Sequence, residues 1–176
     1  MEAVERLELA RERHLAGDLD NARTLYEQVL ASSLDDPSPM YSLGVLEWQC
    51  GAFDPALAWL DRAIKIAPGD ARYHYVRGLV LTSIRRIDDA IGAYRLVLDI
   101  EPEHIDALNN LANCYRENEE DAVAEPFYRS ALALRRDANA LTNLGTLLQA
   151  SGRHEEAFGL LNEAVRVAPE SVACLV

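Results

Sequence analysis

Small residues recur along this chain at a nearly fixed interval. Ala10, Gly44, Gly78, Ala112 and Gly145 are spaced by 34, 34, 34 and 33 residues. A second small column keeps step with the first: Ala22, Ala56, Ala90, Ala124 and Ala157. Four residues beyond each of these stands a large side chain (Tyr26, Leu60, Tyr94, Tyr128, Leu161), and three further on a compact one (Val29, Ala63, Val97, Ala131, Ala164). Steps of four and three place such residues on one side of a helix. The stretch from Ser38 to Pro68 shows one whole unit: a short amphipathic helix, a turn at Cys50-Gly51 and Asp54-Pro55, a second helix, and a closing proline. The closing position holds Leu34, Pro68, Pro102, Arg136 and Pro169. A helix pair this short cannot bury its apolar face alone, so the chain has to stack such pairs against one another.

This period and these columns resemble the tetratricopeptide repeat (TPR) family, a 34-residue helix–turn–helix with small, aromatic and proline positions. The resemblance runs over residues 3 to 171 and implies one all-α solenoid domain spanning 1–176. Its repeats are 3–36, 37–70, 71–104, 105–137 and 138–171, and residues 172–176 begin a sixth. It also implies a right-handed superhelix with a concave groove lined mainly by the first helix of each repeat.

Charge narrows the function classes. Seventeen basic against 29 acidic residues give a net charge of −12. Nucleic-acid binding needs Lys and Arg to neutralise phosphates, and anionic membrane surfaces attract basic segments, so neither is expected here. No run of about 18 apolar residues is present, so no membrane span is expected. The opening MEAVERLELARERH lacks the apolar core of a signal peptide. Cys50, Cys114 and Cys174 fall at no metal-ligand or disulfide-framework spacing, which fits a reducing cytoplasm. Cys114 shares the column of Leu46, Val80 and Leu147 and reads as a small buried hydrophobe.

Helix boundaries are marked by cap residues. Asp36, Asp70, His104, Asp137 and Ser171 precede the first helices, His104 being the weak cap of the set. Asp20, Asp54, Asp88 and Glu155 stand at the starts of second helices, with Asp54-Pro55 reading as cap then proline. The fourth repeat departs from the others. It is one residue shorter, has Glu119 in place of the turn glycine, and ends in Arg136. Its second helix contains Pro126, in an AEPFY segment similar to that of kinesin light chains, and a delayed or kinked start is expected there. SVACLV at the end is in register with a further first helix but supplies no polar cap. Either a longer polypeptide or self-association through this end is expected, with concentration-dependent association as its sign.

Chemistry is sparse. His14, His74, His104 and His154 are scattered, and the sequence holds no phosphate loop, nucleophile elbow or HExxH. Paired carboxylates sit at turns and helix starts, where capping and the helix dipole account for them. No catalysis, metal or cofactor is expected. If the family geometry applies, the groove is lined in its first half by Tyr41, Trp48 and Tyr75, and in its second by Asn109, Asn110, Asn113, Arg116, Asn143 and Thr146. Aromatic faces supply rigid apolar contact area. Asparagine offers a donor and an acceptor to a peptide backbone. Asn110 and Asn143 resemble the asparagine ladder of the TPR region of O-GlcNAc transferase, although Glu8, Ser42 and Val76 interrupt it. None of the three-repeat windows reproduces the lysine–asparagine clamp of chaperone-binding TPR domains. The expected function is a non-catalytic scaffold holding an extended peptide or protein segment in the groove. The alternatives are a substrate-positioning arm of a larger enzyme such as a glycosyltransferase, and a self-assembly module.

Overall fold

The computed structural model describes residues 3–32 and 35–168. Leu34, Pro169, Ser171, Cys174 and the start of a sixth repeat lie outside the described residues. Ten helices, and no strand, occur among the described residues. The chain divides into two compact units, Met1–Arg86 and Ile87–Val176. The first contains α1 (Ala3–Leu15), α2 (Leu19–Ser32), α3 (Pro37–Gln49), α4 (Phe53–Ile66) and α5 (Ala71–Ser83). The second contains α6 (Ile87–Ile100), α7 (Ile105–Glu117), α8 (Asp121–Leu134), α9 (Ala138–Ala150) and α10 (His154–Val167). The fold class is the all-α helical-repeat superhelix.

Each pair is held by its small columns. Ala10, Ala22, Ala56, Ala63, Ala112, Ala124 and Ala131 are fully buried, as are Leu60 and Tyr128. A Cβ built on Gly44 would lie 2.7 Å from Leu60 Cγ and 3.3 Å from the carbonyl oxygen of Ala56. In the second unit a Cβ on Gly145 would lie 2.8 Å from Leu161 Cγ. Glycine is therefore required where the partner is a branched leucine. The alanines Ala10 and Ala112 share their repeats with tyrosines, Tyr26 and Tyr128, whose flat rings leave room for a methyl group. In the first unit Tyr26, Leu30, Met40, Leu43, Leu46 and Tyr73 join in one core cluster. Cys114 is buried, as its column requires, and Cys50 is exposed.

The first helices all stop in the same way. Ala52 N–H donates to Glu47 O and Gly51 N–H to Trp48 O, the paired bonds of a Schellman motif. The same pair closes the other four, through Asp18 to Arg13, Arg86 to Leu81, Glu120 to Tyr115 and Arg153 to Leu148. The motif needs a left-handed residue, supplied by Gly17, Gly51 and Gly152 but also by Arg85 and Glu119, both at φ 62°. Each of these two pays about 1 kcal/mol in backbone strain that glycine would not. The fourth repeat thus keeps its turn without the glycine, and its missing residue is lost elsewhere. Only three residues separate α8 from α9, against four between α6 and α7, and the C-cap Arg135 takes extended backbone to span the gap.

Two expectations about helix ends, the Asp54 cap and the delayed start of α8, need correction. His104 does cap α7: its Nδ1 accepts from Ala107 N–H at 3.2 Å, as Asp36, Asp70 and Asp137 accept on α3, α5 and α9. Asp54 is not a cap, because α4 begins at Phe53 on the N-cap Ala52, which makes no side-chain bond. Asp20, Asp54, Asp88 and Glu155 sit inside the first turn, where they act on the helix dipole. The start of α8 is not delayed: the helix runs from Asp121 to Leu134 with Pro126 inside it. On the outer surface of the second unit, Arg129 and Arg153 pair with Glu125 and Glu156, tying α8 to α10. Burial alone would raise the pKa of Glu125, but hydrogen bonds from the two guanidinium groups hold it below the ordinary range.

Candidate functional site

In the first unit, α1 and α3 flank an open recess of about 640 Å³, with Tyr26 of α2 in its lining. Val45, Leu15 and Leu19 make it apolar, and Arg11, Ser42 and Gln49 give it a polar rim. The helical repeat brings these together because Ser42, Val45 and Gln49 recur at steps of three and four on α3. Tyr26 belongs to the core column, yet its hydroxyl reaches this surface, where it lies 3.3 Å from His14 Nδ1. His14 Nε2 lies 2.8 Å from Gln49 Oε1, so one ring nitrogen accepts from the tyrosine while the other donates to the amide. Burial pushes the Tyr26 hydroxyl above its ordinary pKa and keeps it a donor.

Tyr41 lines the recess and packs partly into the core, its ring 5.2 Å from that of Tyr73. Arg72 lies over both rings, at 6.0 Å and 5.7 Å, and is held there by Asp70. Trp48 and Tyr75 do not line the recess. The indole N–H of Trp48 donates to Ser83 Oγ at 3.1 Å, fixing the ring between α3 and α5, and Tyr75 is half-buried on α5. The Asp70 carboxylate is held below its usual range chiefly by the hydrogen bond from Arg72. A depressed folded-state pKa means stability that is present at neutral pH and is lost as the pH falls through that lowered value. Asp70→Asn keeps a cap acceptor but removes the charge. It is expected to cost about 1 kcal/mol at neutral pH. That cost should vanish under acid conditions that protonate Asp70; chemical denaturation of both proteins across the range checks it.

In the second unit the polar column residues are bonded to one another. Asn113 Oδ1 accepts from Tyr128 Oη and, at 3.1 Å, from Asn143 Nδ2, linking α7, α8 and α9. Arg116 Nη1 donates to Thr146 Oγ1 at 3.4 Å. Asn110 is half-buried, and Asn109 keeps its Oδ1 buried without a hydrogen-bond partner among the described residues. The column positions brought Asn113, Asn143, Arg116 and Thr146 into one cluster. The hydroxyls of Tyr26 and Tyr128 were missed. The available signal was the use of tyrosine, whose hydroxyl needs a partner when buried, in a column that also accepts leucine.

No group of three or more His, Cys, Asp or Glu suited to a metal ion occurs among the described residues. None of the described helices is long and apolar enough to cross a membrane. What the two units define is a helical-repeat protein with side chains presented from its first helices. Two Tetratricopeptide repeat family models match it, over residues 14–80 and 105–170. The chain belongs to the tetratricopeptide repeat family. Among curated proteins it is similar to BBSome complex member BBS4 of Bos taurus, 24% identical over 157 residues, covering 89% of this chain and 30% of that protein. The chain spans 30% or less of the length of the first curated relatives that it matches. Among solved structures it is similar to MamA from Desulfovibrio magneticus RS-1, with a TM-score of 0.86 and 19% identity over 94% of each chain. It is also similar to YrrB, described as a TPR protein with an unusual peptide-binding site. There the TM-score is 0.80, with 16% identity over 99% of this chain and 90% of that one. At these identities the structural likeness speaks to the fold alone.

Proposed function

We propose that this chain is a protein-interaction scaffold that holds an extended peptide segment against its first helices. The observation that carries this reading is the recess of the first unit. It is concave and mainly apolar, with a few converging polar groups, which is the ordinary character of a binding site. An apolar side chain of the ligand enters beside Val45 and Tyr41, and its flanking backbone meets Gln49 and Ser42. In the second unit, Asn113, Asn143 and Thr146 offer amides and a hydroxyl suited to peptide backbone, which they read without regard to side-chain sequence. Trp48, Tyr75, Asn109, Asn110 and Arg116 extend these two surfaces. BBS4 is named as a member of a protein complex, and YrrB is described by a peptide-binding site; both accord with a peptide or protein ligand.

Panning a random peptide display library on the full chain tests this. Selected peptides are expected to share an apolar residue, and Val45→Glu, which puts a charge into the recess, is expected to weaken them at least about tenfold. Asn143→Ala should weaken unrelated peptides by a similar, smaller factor, since a neutral hydrogen bond contributes about 1 kcal/mol. Circular dichroism should show both variants folded. Failure to enrich any peptide, or binding indifferent to Val45→Glu, would overturn the reading.

A further inference from the structure

The recess of the first unit is a cationic place in an acidic chain. Acidic residues outnumber basic ones by 29 to 17, yet none of the described residues that line it is an aspartate or a glutamate. Its α1 wall carries Arg11, His14 and Leu15, which steps of three and four put on one side of the helix. Arg11 donates from Nη1 to Glu8 at 2.7 Å, an exposed pair, and its fork has further N–H donors for another acceptor. His14 has only neutral hydrogen-bond partners among the described residues, the Tyr26 hydroxyl and the Gln49 side chain. The charged and titratable groups around it are Glu8 and Arg11 on α1, Asp18 in the turn that follows, Tyr26 on α2 and Tyr41 on α3. Both carboxylates are engaged elsewhere, Glu8 by Arg11 and Asp18 by Asn21 and Arg13. Glu12 and Glu47 stand two residues from His14 and Gln49, on other sides of their helices, and Glu47 pairs with Arg23. A proton added to His14 therefore meets no counter-charge in the recess. Nδ1 would then donate to the tyrosine oxygen, Tyr26 would turn its hydrogen to the neighbouring Ser42, and Nε2 would keep Gln49. The walls stay in place while positive charge appears between them.

We propose that the recess recognises a peptide with a glutamate or aspartate side chain beside its apolar residue, held by Arg11 and His14, and that binding tightens as His14 takes up a proton. This rests on the peptide-binding reading of the recess and adds the charge of the ligand and its control. With the apolar side chain against Val45 and Tyr41 of α3, the adjoining ligand residue faces α1 across the recess. There a guanidinium and an imidazolium make charge-assisted hydrogen bonds to a carboxylate. The net charge of the chain does not forbid this. At ordinary salt, exposed charges more than about 10 Å apart are largely screened, so the local cations decide. Histidine exchanges its proton between about pH 5 and 8, where a ligand glutamate stays ionised, so the pH response belongs to the protein.

Peptides selected from the display library on the full chain at about pH 5.5 serve as probes. They are synthesised with blocked termini, in pairs that differ by glutamate or aspartate against the matching amide. Calorimetric titration of the wild type, which needs no variant, is expected to show the acidic member binding about tenfold tighter at pH near 5.5 than near 8. The amide member should show no such gain. His14→Gln keeps a donor and an acceptor but cannot gain a proton, so it should erase the pH dependence, whereas a merely structural role would weaken both members at every pH. Arg11→Gln should narrow the preference for the acidic member at both pH values. Selected peptides that lack an acidic residue, or pairs that bind alike at both pH values, overturn the proposal and leave the peptide-binding reading standing. So does a pH response that survives His14→Gln, or binding that requires a free C-terminal carboxylate in place of the side chain. Failure to select any peptide overturns both.

Discussion

Ala56→Arg is expected to unfold the first unit. Ala56 is fully buried, and its carbonyl oxygen lies 3.3 Å from where a Cβ on Gly44 would stand, so α3 and α4 touch at this point almost backbone to backbone. An arginine there has to push the helices apart or leave a guanidinium without water or partner. Overpacking costs about 1–3 kcal/mol and an uncompensated buried charge about 3–5. Together they rival the roughly 5–15 kcal/mol that keeps an ordinary domain folded. Ala58→Arg, two residues along the same helix, is the control. Ala58 is exposed, and a surface change there should move stability by no more than about 0.5 kcal/mol. Thermal melts of the two variants followed by circular dichroism decide the matter: equal melting temperatures would mean that the helix face has been misassigned.

The second large effect is a coupling between Gly44 and Leu60. Leu60→Ala removes a fully buried side chain and is expected to cost about 2–5 kcal/mol, the spread reflecting how far the site collapses. Gly44→Ala alone should also destabilise, because its methyl would lie 2.7 Å from Leu60 Cγ, a branch point that cannot swing aside. The expected cost is about 1–3 kcal/mol, despite the gain of about 1 kcal/mol that alanine brings to a helix. With Leu60 already shortened the side-chain clash is gone and only the 3.3 Å approach to the Ala56 carbonyl oxygen remains, so Gly44→Ala should cost much less than it does in the wild type. A double-mutant cycle by chemical denaturation should then give a coupling of about 2 kcal/mol or more. Additive effects would mean that the glycine is there for some reason other than the leucine.

Gly44 and Ala56 also show what was legible in the sequence. Column periodicity reports the tight places of a stacked helix array, because only small residues fit where backbones approach. Every second helix begins where that register puts it, even α8 with its internal proline. Helix caps were less legible, since residue type does not reveal which amide a side chain will reach. Asp54 resembles a cap but lies one residue inside α4, and His104, a poor cap by type, accepts a bond through Nδ1. The left-handed turn at Arg85 was hidden for a similar reason: the paired Schellman bonds from Arg85 and Arg86 fix the turn, and a side chain that disfavours it is carried along.

The surface proposed for binding was legible only by position. Columns identified which residues of α3, α7 and α9 are presented, but not how they spend their polar groups. Trp48 looked like an open aromatic face, and its indole N–H also holds Ser83. Asn110 and Asn143 looked like parallel rungs, yet Asn143 bonds to Asn113, which also accepts from Tyr128. The recess beside Val45 depends on the separation of α1 and α3 and on the tilt of the Tyr26 ring. No one-dimensional pattern encodes such distances.

Cysteine placement gives the chain a built-in clock. Cys50 is exposed at the end of α3, and its thiol can meet a reagent from the first moment of mixing. Cys114 is buried in the second unit, and a reagent reaches it only when α7 parts from its neighbours. With Cys174 replaced by serine, the chain would show a fast labelling event and a slow one. The slow rate times how long the second unit stays shut between openings, and denaturant would shorten that interval.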